Sequence, residues 1–276
     1  MKKAFFAAAV LALALTGTAT AAQTVRLGLV GGIYEDFWAP AKEELAKEGI
    51  DLEFVPFTDY VTPNRALSDG DIELNAFQHD IYLQNEIKEY GYKLTNIGGT
   101  FIEAMNIFSK KVKSISEIKD GDTVAIPNDV TNGGRALKVL AASGLITLKE
   151  SAGFSPTVAD VEKYNVKVEI KEMAANIIPA ALPDVTAAVI NGNYAMDFGF
   201  KLEDAIFRDT SLNEKPYWNL VAARTADLED PAKVELYDKV IKAFRSEATK
   251  AVLDKMFGGY VVSAGWDEDF LAPFRK

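Results

Sequence analysis

A chain of 276 residues with 40 acidic against 30 basic side chains carries a formal charge of −10 at neutral pH, an excess that disfavours nucleic acid or an anionic membrane surface as a partner. The absence of cysteine excludes disulfides, thiolate metal sites and cysteine nucleophiles. Apolar residues make up 49% of the chain, enough for one large core or two smaller lobes.

Residues 1–21 read as a secretory signal peptide. Met1-Lys2-Lys3 is a basic start, residues 4–15 are apolar, and Ala19-Thr20-Ala21 is a small-residue cleavage signal. The apolar run is too short to span a bilayer. With no cysteine after the cleavage position, the released chain is expected to be free rather than lipid-anchored. No later run of about 18 apolar residues follows, so the remainder reads as soluble.

Alternation over residues 25–30 predicts a strand, broken by Gly31-Gly32. A helix is expected over 35–47, a second strand over 51–57 and a short helix from Pro63, since proline suits a first helical position. A strand over 72–77 then runs into a helix over 80–90 closed by Gly91. This β-α-β-α-β order predicts a largely parallel sheet. Strands follow over 92–97 and 101–109, with a capping box at Ser114-x-x-Glu117. A second α/β unit has strands over 122–127, 166–172 and 185–190, with helices over 132–143 and 157–163. A strand over 217–223 and helices over 231–244 and 246–256 close the chain. The second unit interrupts the first. Residues 22–110 and 216–276 are therefore expected to form one lobe and residues 111–215 the other, with two crossovers making a hinge and a cleft.

Catalysis has few routes here. There is one histidine, and Gly-x-Ser-x-Gly, His-Glu-x-x-His, Walker A and Gly-x-Gly-x-x-Gly patterns are all absent. A carboxylate-only secreted hydrolase stays open as an alternative, and no metal site or cofactor is expected. Three groups could instead bind a small molecule. Arg135 follows Asn132-Gly133-Gly134 near an expected helix start capped by Asn132, where free N–H groups and a guanidinium would hold an anion. An exposed arginine, or one paired with Asp129, is the plainer alternative. His79 lies with Phe77, Tyr82 and Tyr60 where a strand end meets a helix start, the usual ligand position in open α/β sheets. A histidine buried among core aromatics explains the same pattern. Asn191 ends one strand and Asn219 interrupts another. Each is either a head-group ligand or a local backbone partner.

Several runs together resemble the MetQ/NlpA family, the methionine-binding proteins of bacterial methionine ABC importers. They include Phe57-Thr58-Asp59-Tyr60, Asn75-Ala76-Phe77-Gln78-His79, Ala125-Ile126-Pro127-Asn128-Asp129, Thr131-Asn132-Gly133-Gly134-Arg135, Ala188-Val189-Ile190-Asn191 and Pro216-Tyr217-Trp218-Asn219-Leu220. The resemblance covers residues 25–259. It implies a type II periplasmic binding fold, each lobe a mainly parallel sheet flanked by helices, acting as a monomer with a membrane permease as partner. It maps Tyr60, Phe77, His79 and Tyr82 around a thioether, Arg135 on the ligand carboxylate, and Asn191 and Asn219 on the head group, with Asn128 in a matching motif. A different amino acid or a small anion in the same fold is the alternative ligand. The chain departs from the family's pattern at Val130, where proline is usual, at residues 101–106, where a Tyr-Pro run is usual, and in lacking a lipoprotein cysteine.

Overall fold

The computed structural model describes residues 23–257 and 259–275, so the leader expected over residues 1–21 lies outside the described residues. The first half builds β1 (Gln23–Val30), α1 (Ile33–Lys47), β2 (Ile50–Phe57), α2 (Thr62–Asp69), β3 (Leu74–Asn75), α3 (Asp80–Tyr90), β4 (Leu94–Gly99) and β5 (Phe101–Glu103). Then come β6 (Asn106–Phe108), β7 (Thr123–Pro127), α4 (Val130–Ala142), β8 (Ile146–Leu148), β9 (Val161–Tyr164), β10 (Glu169–Met173), α5 (Ile178–Ala181), β11 (Ala187–Ile190), α6 (Gly192–Asp197) and β12 (Ala205–Phe207). The chain closes with β13 (Leu220–Arg224), α7 (Pro231–Phe244), α8 (Glu247–Phe257) and β14 (Val261–Ser263).

Two five-stranded sheets share one plan. The first runs β2-β1-β3-β13-β4 and the second β10-β7-β11-β6-β12. In each, three strands are parallel, and the fourth in spatial order is antiparallel to both its neighbours. Four of five strands therefore point one way. The reversed strand is the one whose chain has come across from the other half. Helices cover the sheet faces, as parallel strands buried on both sides require. Helix α1 buries Tyr34, Phe37, Trp38, Ala41 and Leu45, a stripe at helical spacing, and Trp38 packs its ring 4.2 Å from that of Phe244 on α7.

Several boundaries differ from those read in the sequence, each for a local reason. The strand expected over 101–109 is two strands. β5 pairs with β14 in a separate ribbon, while β6 joins the second sheet, so the crossover falls at Ala104-Met105. The strand expected over 72–77 pairs only at Leu74–Asn75, because the chain turns there into the α3 cap. The helix expected over 157–163 is a single 3-10 turn, Val158–Asp160, closed by a Thr157–Asp160 capping box before β9. Ser114 makes no cap bond to the following turn, although its hydroxyl lies 3.3 Å from Glu117. Helix α4 starts earlier than expected. Asp129, not Asn132, is its N-cap, accepting from Asn132 N at 2.8 Å. A short helix, α6, follows Asn191 where the sequence showed only a turn.

A cleft lined from both sheets

The expected site residues converge on one cavity, with Asn128 as the exception. Tyr60, Phe77, His79 and Tyr82 line it from the first half, and Arg135 and Asn191 from the second, with Asn219 just before β13, bridged to His79. Gln78, Glu103 and Asn132 complete the wall of a tight cavity. Asn128 is exposed, and its backbone N–H bonds to Met173 O at 3.0 Å, which ties β7 to β10 instead.

The aromatic end is built by the β3–α3 corner. A buried amide cluster fixes that corner: Asn64 Nδ2 donates to Gln78 Oε1 (2.8 Å), and Gln78 Nε2 donates to Asn64 Oδ1 (2.6 Å) and Asn75 Oδ1 (2.9 Å). The rings of Tyr60, Phe77 and Tyr82 then meet at centroid separations of 6.0, 6.1 and 6.0 Å. His79 is the N-cap of α3. Its Nδ1 accepts from Tyr82 N at 3.1 Å, so the proton sits on Nε2, which donates to Asn132 Oδ1 at 3.3 Å. Burial, with the nearby Arg135 charge, lowers its pKa to about 3, so the ring is neutral at physiological pH.

The polar end departs from the sequence reading in one respect. Arg135 lies in the second turn of α4, and the helix N-terminus beneath it is already filled by the Asp129 carboxylate. Nor do the two glycines leave room for a ligand. A side chain at Gly134 would meet the Ser155 backbone at 2.7 Å, and one at Gly133 would meet Pro127 O at 2.8 Å. Arg135 is instead buried at 2% exposure. Its Nη2 donates to Asp209 Oδ2 (2.8 Å) and Glu103 O (2.7 Å), its guanidinium stacks 4.7 Å from the Tyr217 ring, and its Nε has no hydrogen-bond partner. Burial raises the Asp209 pKa, but the guanidinium and the Ser211 bonds outweigh it and hold the carboxyl below the usual range.

Asn191 donates Nδ2 to Asn132 Oδ1 at 2.9 Å and leaves its own Oδ1 buried without a partner. Asn132 thus links His79 of one half to Asn191 of the other. Further bonds close the cleft. Tyr60 Oη donates to Asn193 Oδ1 (2.6 Å), Tyr194 Oη to Thr58 O (3.3 Å), and Ile33 N to Asp197 Oδ1 (2.9 Å). Sequence reading missed Glu103, Gln78, Asp209 and Asp197. The only signal for them was a polar residue inside an apolar run, as at Glu103 in Phe101-Ile102-Glu103-Ala104-Met105.

Two α/β halves joined by two crossovers, with a cleft lined from both, define a two-lobed periplasmic substrate-binding fold. Among solved structures, the methionine-binding protein MetQ superposes with a TM-score of 0.82 at 39% identity, over 88% of this chain and 98% of that one. A nutrient-binding protein from Burkholderia cenocepacia, bound to methionine, superposes at 0.79 with 38% identity, over 87% of this chain and 99% of that one. The D-methionine-binding lipoprotein MetQ of Escherichia coli K12 is 40% identical over 88% of each chain. Residues 25–265 match the NlpA lipoprotein family, and the chain belongs to that family. Unlike a lipoprotein acylated on cysteine, the sequence contains no cysteine.

Proposed function

We propose that this protein is the substrate-binding component of an ABC importer, that it captures methionine or a close relative in the cleft, and that it delivers the ligand to a membrane permease. The observation that carries this is one cavity, lined from both halves, with two unlike ends. One end is the ring cluster of Tyr60, Phe77 and Tyr82 with neutral His79, and the other is Arg135, Asn191 and Asn219. An α-amino acid with an apolar side chain has the same two ends. A thioether packs well against aromatic edges, and the relatives' names favour methionine among such ligands. In this reading Arg135 uses its free Nε–H on the carboxylate, while Asn191 Oδ1 and the Asn219 amide hold the head group. Asn128 takes no part.

Binding rather than turnover is favoured because, among the described residues, Glu103 is the one acid lining the cavity, whereas glycoside hydrolysis by carboxylates uses a pair. The lobes divide at Ala104-Met105 and between β12 and β13, and closure is the signal that the permease reads. The protein works as a periplasmic monomer. A thermal-shift titration with both enantiomers of methionine tests the reading, since a ligand specific for the folded state must raise the melting temperature. Native mass spectrometry of the purified protein identifies any co-purifying ligand. No shift with either enantiomer would overturn it.

A further inference from the structure

We infer that Glu103 is the cation-binding arm of this cleft, its carboxylate receiving the α-ammonium of the ligand while Arg135 takes the carboxylate; this rests on the amino-acid reading above. Glu103 is the last residue of β5, placed at the crossover and 6% exposed. Its Oε1 accepts from Tyr34 Oη at 2.8 Å, while its Oε2 is buried and makes no full hydrogen bond, the backbone N–H of Asn193 being the one further protein donor near the carboxylate among the described residues. A buried carboxylate oxygen without a full hydrogen bond is costly and needs an explanation. Among the described residues no cationic side chain bonds this carboxylate. Arg135, the nearest cation, bonds only the Glu103 backbone carbonyl and is itself paired with Asp209. The missing Cβ of Gly192 keeps space open there, since a methyl at that position would come within 3.0 Å of Oε2.

Among the lining residues, the polar atoms that are buried without partners are Glu103 Oε2, Asn191 Oδ1 and Arg135 Nε. Two are acceptors and one is a charged donor. An α-amino acid supplies the complement: an ammonium with three donors and a carboxylate. A ligand with a hydroxyl in place of the ammonium offers one donor and no charge. Glu103 is therefore a specificity-determining residue that selects zwitterionic amino acids over hydroxy-acid and N-acylated analogues.

Calorimetry of wild type and Glu103→Gln with methionine and with 2-hydroxy-4-(methylthio)butanoate tests this. Wild type should prefer methionine, and Glu103→Gln should weaken methionine by at least about tenfold, the lower range for a charge-assisted bond, while barely changing the hydroxy acid. An unchanged preference in a folded Glu103→Gln overturns the assignment. No methionine binding by wild type overturns it together with the proposed function. A second readout needs no variant. Burial pushes the Glu103 carboxyl up to about 7, against the pull of Tyr34, Arg135 and the Asn193 backbone N–H. Ammonium binding requires the ionised form, so methionine affinity should rise about tenfold from pH 6 to pH 8, with proton release at pH 6. The ionisable groups facing Glu103 are Tyr34 on α1, Arg135 on α4, Tyr194 and Asp197 on α6, and Tyr60 and Tyr260. The profile should flatten in Glu103→Gln, which separates it from Asp197. A flat wild-type profile overturns the proposal.

Discussion

Replacing Arg135 by alanine is expected to damage the fold before it reports on the ligand. The guanidinium and the Asp209 carboxylate are each 3% exposed in their side chains and lie 2.8 Å apart. Removing one member of a buried ion pair leaves an uncompensated charge and costs about 3–5 kcal/mol. Asp209 keeps three donors after the change: Ser211 N at 2.8 Å, Ser211 Oγ at 2.6 Å and Met105 N at 3.1 Å. The loss should therefore sit near the lower bound, about 3 kcal/mol at pH 7 in urea unfolding. The sign of its pH dependence follows from the same geometry. In wild type the Asp209 pKa is depressed, so its contribution is present above the unfolded value near 3.9 and is lost as pH falls through the folded pKa. In Arg135→Ala the carboxyl loses the guanidinium that offsets its burial, so its pKa rises relative to wild type. It can then protonate under mild acid, and the gap to wild type should narrow between pH 7 and pH 4.5. Adding Asp209→Asn should recover at least about 1 kcal/mol of the loss at pH 7. An Arg135→Ala variant within 1 kcal/mol of wild type, or a deficit independent of pH, would refute the buried-pair argument.

The other expectations are simpler. Asn219 lines the cavity and its amide makes no side-chain hydrogen bond among the described residues, so Asn219→Ala should weaken methionine by about 1–2 kcal/mol with unfolding free energy nearly unchanged; equal affinity in calorimetry would count against a head-group role. Asp197 caps the start of α1 from the opposite half through Ile33 N, where the cap residue is the side-chain-less Gly32. Asp197→Ala should open the closed form by about 1 kcal/mol, lowering ligand affinity roughly fivefold, with an increased radius of gyration in solution scattering. An unaltered radius and affinity would remove the latch. His79 should show no proton titration by NMR between pH 5 and pH 8, because burial has taken its pKa to about 3; as the only histidine, its signal is unambiguous, and a midpoint inside that window would contradict its assignment as a neutral wall.

The fold was legible because its punctuation is local. Gly70 and Gly91 end α2 and α3 at φ of 86° and 73°, the left-handed region that glycine enters without penalty, and apolar spacing set the periods between them. The aromatic end of the cavity was legible for the same reason, since Phe77, His79 and Tyr82 lie on one corner. The polar end was not, because its logic is long-range. Asp209 is 74 residues from the Arg135 it neutralises, and Asp197 is 164 from the Ile33 it caps. Asp129 took the capping role given to Asn132 because its carboxylate reaches the Asn132 N–H three residues on, and that freed Asn132 to bridge His79 and Asn191. Glu103, although within the 101–106 run that departs from the family's pattern, was given no site role because its strand looked continuous through 109, when the chain in fact changes sheets just after it. A crossover residue belongs to neither pattern. It is also the position from which one side chain can face both halves of a cleft, so the stretch that periodicity describes worst is the one where this chain places the one acid that lines the cavity among the described residues.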